Sequence, residues 1–178
     1  MSAYAVGKLK ANALRSITRI TIQYDDTEDR IKLLGETPEG TVVLWFTQRL
    51  LNRVIAVLCQ KLEPSDSDPR LEALNSFAQM AAIHTLEPLP PVQPPSDADT
   101  MLVREVSITA GAEVVQLVFK QVPGNMGEFS LALRNDELRQ WLAILHGQYV
   151  KAGWPTNIWP DWIDGRPPER EAISPVRH

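Results

Sequence analysis

The chain has 178 residues, 44% hydrophobic and 22% charged, with a formal net charge of −4. Such a composition packs one globular domain and excludes general disorder, while the acidic balance excludes a general nucleic-acid binder, which needs a basic face. Cys59 is the only cysteine, which excludes an intrachain disulfide and a cysteine-built zinc site.

No window reaches the roughly 18 apolar residues of a membrane span, and Met1 to Lys10 hold no apolar run of the signal-peptide kind. A cytoplasmic protein with no membrane partner is expected. Lys8, Lys10, Arg15 and Arg19 precede the first acid, Asp25, and read as solvated surface.

Ile20, Ile22 and Tyr24 alternate with Thr21 and Gln23, which predicts a half-buried strand. Residues 25–29, Asp-Asp-Thr-Glu-Asp, form a turn, and Ile31 and Leu33 alternate with Arg30 and Lys32 in the return strand. The acidic turn fails as an EF-hand, because counting from Asp25 the sixth position is Arg30 where glycine is required. Pro38 and Gly40 mark the next turn. Val42, Leu44 and Phe46 then face one way and Val43 and Trp45 the other, so this strand is expected to be central and covered on both faces.

Thr47 is the expected N-cap of a helix over 48–62, whose stripe Leu50, Leu51, Val54, Ile55, Leu58 and Leu62 recurs at three- and four-residue spacing. Pro64 stops it. Asp68 and Pro69 open a second helix to residue 84, with Leu71, Leu74, Phe77, Ala78 and Ala81 as its expected buried stripe. Five prolines within residues 87–100 exclude a helix or a central strand there and predict an extended connector or a mobile loop. A second strand group follows at 102–109, 114–121 and 128–133. A helix capped by Asn135, with the stripe Leu138, Trp141, Leu142, Leu145 and Tyr149, ends at Gly153.

Residues 40–60 lie on residues 127–147 without a gap. Five positions are identical (Gly40/Gly127, Leu44/Leu131, Leu51/Leu138, Ala56/Ala143 and Leu58/Leu145) and five more pair large apolar residues, among them Val54/Trp141 and Val57/Ile144. Internal duplication explains this; so does shared apolar composition. The expected fold is α+β: two β-β-β-α units in an antiparallel β-sandwich or barrel-like sheet with an inserted helix pair. One domain spans 1–153, made of a first unit 16–63, a helix 69–85, a proline-rich linker 87–100 and a second unit 101–153, followed by a Trp/Pro-rich tail 154–178.

The order three strands, two helices, three strands, one helix resembles the head domain shared by the scaffold of DNA end joining and the centriolar cartwheel protein, a β-sandwich with a helix pair inserted between two strand groups. The resemblance covers about residues 17–150 and is one of topology. It implies a homodimerising scaffold. It departs from the family where the last helix ends at Gly153 in a Trp/Pro tail, since those proteins continue into a long coiled coil.

No phosphate loop, dinucleotide fingerprint, His-Glu-x-x-His or Gly-x-Ser-x-Gly elbow occurs. His84, His146 and His178 are scattered, so no metal site, cofactor site or catalytic constellation is expected, and His146 reads as a packing residue. The candidate interaction residues are Trp154, Trp159 and Trp162 with Pro155 and Pro160, because large rigid rings on a stiff segment bury much area at small entropic cost. They pack on the chain's own domain, on a second copy, or on an outside partner. Two function classes follow. One is a non-catalytic, self-associating interaction or assembly module with a further protein partner; the other is a small-ligand-binding protein or enzyme with a site between sheet and helices. A pocket lined by Trp45, Trp141 or Trp154 favours the second, and an exposed flat apolar patch favours the first.

Overall fold

Alternating apolar residues build two β-layers whose inner faces supply the core. The computed structural model describes residues 14–65, 68–121 and 127–166. The order is β1 (Arg15–Ser16), β2 (Arg19–Asp25), β3 (Arg30–Thr37), β4 (Gly40–Phe46), α1 (Gln48–Leu62), α2 (Pro69–His84), β5 (Asp99–Leu102), β6 (Glu105–Ala110), β7 (Val114–Lys120), β8 (Phe129–Arg134) and α3 (Asn135–Ala152), then a 3-10 helix, Asp161–Asp164. One sheet runs β2-β3-β4-β5 and the other β1-β8-β7-β6. The fold is α+β, and the two sheets do not close into a barrel. The expectations for Lys8, Lys10 and His178 and for the tail after Arg166 lie outside the described residues, as do residues 122–126 between the last two expected strands.

Ile22, Ile31, Leu33, Val42, Leu44 and Phe46 of one sheet share a core with Val115, Leu117, Phe119, Phe129, Leu131 and Leu133 of the other. Phe46 and Phe119 meet edge to face with ring centres 5.5 Å apart. Helix α1 adds Leu51, Val54, Ile55 and Leu58, and α3 adds Leu138, Trp141, Leu142, Leu145 and Tyr149. Thr47 caps α1 by accepting the Leu50 N–H, and Asp68 caps α2 by accepting the Arg70 N–H. The cap of α3 differs by one residue from expectation. Arg134 is the N-cap, and its backbone N–H donates to the Glu137 carboxylate at 2.8 Å, while Asn135 is already helical and donates its side-chain amide to the Ala112 carbonyl.

The stretch expected as one strand over 102–109 is two. The Val103 N–H donates to the Trp45 carbonyl of one sheet, and the next N–H, that of Arg104, donates to the Lys120 carbonyl of the other. Successive amides thus feed different sheets and the chain crosses between them. The same crossing occurs at the start, where the Ile17 N–H donates to Ser130 and the Thr18 N–H to Glu36. As a result β1 pairs parallel with β8, and β5 pairs parallel with β4. Each half begins with a short strand that extends the other half's sheet. Neither short strand is legible as alternation, since two to four residues carry too little period.

Candidate functional site

The tail after Gly153 enters the core. Gly153 takes the left-handed conformation, φ 66°, that turns the chain out of α3. Trp154 and Trp159 are buried with Ile163, and Trp162 is half-buried. The indole N–H of Trp154 donates to Asp29 Oδ1 at 2.9 Å, and the Tyr24 hydroxyl donates to the same oxygen at 2.9 Å. Edge-to-face contacts run from Tyr24 to Trp154 to Tyr149 to Trp159 to His146, with ring centres 5.0 to 5.8 Å apart. His146 Nδ1 lies 3.1 Å from Asp164 Oδ1, which ties the 3-10 helix to α3. Of the five tail residues singled out from sequence, only Pro155 is exposed; Pro160 is the N-cap of the 3-10 helix. The acidic turn of residues 25–29 has a structural task as well, since Asp25 accepts from Lys32 and from the Glu28 N–H while Asp29 anchors the tail.

The proline-rich segment is an ordered strap across the outer face of the β2-β3-β4-β5 sheet. Arg19 pairs with Glu36 and donates from Nη1 to the Pro90 carbonyl at 2.7 Å, and the Val92 N–H donates to Thr21 Oγ1 at 2.8 Å. The guanidinium holds the Glu36 carboxyl below its ordinary range. Val92 is 1% exposed and Leu34 of β3 is buried, whereas Val43 and Trp45 on the outer face of β4 are half-buried and line the groove beside the strap. Beside the strap an open groove of about 540 Å³ is lined by Gln23, Lys32, Trp45, Gln93, Pro95 and Thr100, among others. The Lys32 ammonium is committed to Asp25 and sits 5.4 Å from the centre of the Trp45 ring.

Helix α2 reverses its expected orientation. Leu74 is 62% and Phe77 53% exposed, with Leu71, Ala78 and Ala81 also outward. The buried residues are Asn75, Ser76, Gln79 and Ala82. The reason lies in what α2 packs on. The apolar stripe of α3 is used by the sandwich, so α2 meets its polar back at Arg139 and Gln140. Gln79, wholly buried, donates to the Arg139 and Ile163 carbonyls at 3.2 and 3.1 Å. Arg139 donates to Asn75 Oδ1 at 2.6 Å, and Gln140 to the Ala82 carbonyl at 2.9 Å. Burial lowers the Arg139 pKa below its ordinary value, and among the described residues no carboxylate pairs with it. Leaving the Arg139 and Gln140 donors and the main-chain carbonyls unpaired would be costly, so the amides turn inward and the hydrocarbon outward, with only the Asn75 Nδ2 donor left without an acceptor among the α2 amides.

Chemically reactive groups are sparse. Among the described residues no group of three or more His, Cys, Asp and Glu side chains could hold a metal ion. Burial pushes the Cys59 thiol up to about 12, which removes the thiolate a nucleophile needs. No helix among the described residues is long and apolar enough to cross a membrane. No protein-family profile, curated protein or solved structure matches the chain.

Proposed function

We propose that this chain is a non-catalytic interaction or assembly module, acting in the cytoplasm, with the outward face of α2 as its working surface. One observation carries the proposal: a helix with its amides inside and Leu74 and Phe77 in solvent. Contiguous apolar surface on a soluble domain marks a place where something docks. The insertion of α1 and α2 between β4 and β5 supports the resemblance to the scaffold head domains. The test is a double variant, Leu74→Asp with Phe77→Asp. Melting temperature should stay within about 2 °C of the parent, as for a surface change, and binding of the apolar dye bis-ANS should be lost. A fall of several degrees would show that the face is core and reject the proposal.

A second reading, a small-ligand binder, is favoured by the groove at Trp45, whose volume of about 540 Å³ lies within the roughly 300–1,000 Å³ range of ligand sites. It ranks second because the groove is open and its one cation is already paired with Asp25. A ligand there would change Trp45 fluorescence, and Trp45→Phe would abolish that change.

We also read the two halves as a repeat. Leu51/Leu138, Val54/Trp141, Ile55/Leu142 and Leu58/Leu145 are buried pairs, and Val57/Ile144 an exposed one. Strand registers support it: Leu33↔Leu44 and Ile31↔Phe46 correspond to Leu117↔Leu131 and Val115↔Leu133. An experimental structure whose halves failed to superpose by one rotation would refute it.

A further inference from the structure

We infer that the junction of α2, α3 and the 3-10 helix is a binding site for a small carboxylate, held by Arg139 and Asn75. The site lies on the inner side of α2 and does not depend on what docks on the outer face.

Helix α2 buries two amides there, Asn75 and Gln79, and they are not equally satisfied. Gln79 donates to two carbonyls, and its Oε1 lies 3.5 Å from Arg139 Nη1. Asn75 is 7% exposed, and only its oxygens are used: the main-chain carbonyl accepts from Arg139 Nη1 at 3.5 Å and Oδ1 accepts from Nη2 at 2.6 Å. Its Nδ2 donor is buried without an acceptor. The indole N–H of Trp162 is buried without one too, and the centre of a Trp162 ring is 5.5 Å from the guanidinium carbon of Arg139. An orphaned indole is no signal alone, since those of Trp141 and Trp159 share the condition. What sets this junction apart is a cation beside the orphaned amide.

Arg139 meets only neutral oxygens. Its terminal nitrogens turn to Asn75 and Gln79, and its Nε–H has no acceptor among the described residues. The carboxylates nearby in sequence are committed or turned out. Asp136 pairs with Arg134, Glu137 accepts the Arg134 N–H, and Asp164 pairs with His146 and Arg166. Glu72 and Asp161 are exposed. Burial alone lowers the Arg139 pKa, with no carboxylate raising it. A guanidinium partly withdrawn from water without a counter-charge is costly, and an anion beside it offsets that cost.

The donor set selects the anion. Every group offered is an N–H, which suits an acceptor and not a metal ion, and the single positive charge suits a monoanion. The planar guanidinium presents its Nε–H and a second Nη2–H as a fork, which the two oxygens of a carboxylate match and a spherical chloride does not. Asn75 Nδ2, on the amide that already holds Nη2, adds a further donor. Arg139 and Trp162 are half-buried, which leaves solvent a way in.

Thermal unfolding of the full chain in sodium acetate, compared with sodium chloride at the same ionic strength, tests this. Acetate should raise the melting temperature by about 3 °C and level off, as saturable binding requires, while chloride should not. Asn75→Asp puts the chain's own carboxylate oxygen where the orphaned donor stood, at nearly the same volume. It should melt no lower than the parent in chloride and lose the acetate response. Arg139→Lys keeps the charge without the fork, and should raise the acetate concentration for half effect by about tenfold or more. Equal shifts in acetate and chloride overturn the inference, and so does an acetate response in Asn75→Asp as large as the parent's. Should Asn75→Asp fail to fold, Arg139→Lys decides, and an unchanged half-effect concentration rejects the site.

Discussion

Single residues show how sequence-distant groups are spent on holding this chain together. Asp29 occupies the left-handed region at φ 48°, a conformation aspartate tolerates better than branched residues do. From there its carboxylate ties the β2–β3 turn to Trp154. Gly165 is left-handed at φ 66°, and a Cβ there would come within 3.0 Å of the Met80 backbone. Gly165→Ala should therefore lift the 3-10 helix from α2 and lower the melting temperature. Cys59 permits a signed prediction. Its thiol is raised from 9.0 to about 12 in the fold, so below pH 9 both states hold the proton and it contributes nothing. Above pH 9 the unfolded chain ionises while the folded one does not, and stability falls by about 1.4 kcal/mol per pH unit. Denaturant unfolding between pH 8 and 11 should show a steeper loss for the parent than for Cys59→Ala; equal slopes would mean that the thiol is accessible in the fold.

At the scale of the element, α1 and α2 obey different rules, and mutation separates them. Leu58 in α1 is fully buried, so Leu58→Ala should cost about 2–5 kcal/mol. In α2 the order that hydropathy suggests is inverted. Gln79→Ala leaves the Arg139 and Ile163 carbonyls without their donor and should cost about 1–3 kcal/mol. Leu74→Ala should change stability by no more than about 0.5 kcal/mol. Denaturant midpoints for the two variants check this directly, and a larger loss for Leu74→Ala than for Gln79→Ala would contradict the orientation of α2. The capping signals were legible because they are local: Thr47, Asp68, Pro69 and Gly153 act within one turn of chain. The direction in which α2 faces was not legible, because it depends on Arg139 and Gln140, residues more than fifty positions away in sequence.

At the scale of the molecule, the two halves are interlocked rather than stacked. β1 and β5 each complete the other half's sheet, and the tail after Gly153 packs Trp154, Trp159 and Ile163 into the common core. Truncation after Gly153 should therefore yield insoluble protein or a melting temperature lower by more than about 10 °C, since several kcal/mol of aromatic burial is removed. A truncated chain that melts like the parent would show the tail to be an appendage. The strap contributes differently, with one buried valine and two hydrogen bonds to Arg19 and Thr21. Proline-rich composition excluded helix there but carried no information about where the segment would lie.

By itself the sequence determined the longer strands, the three helices and the apolar stripes of α1 and α3, but not the short strands β1 and β5. The legible features follow from periodicity and from hydrogen bonding between near neighbours, which any window of the chain contains. Only the tertiary structure decided that the chain crosses between sheets at Ile17 and Val103, that the prolines form a strap, and that the tail tryptophans enter the core. It alone decided that α2 presents its hydrocarbon to solvent. Hydrophobicity says that a side chain gains from burial; it does not say what surface will be there to bury it. On the polar back of α3 the partners on offer are a guanidinium, an amide and main-chain carbonyls, and the cost of leaving those unpaired outweighs the gain from covering Leu74 and Phe77.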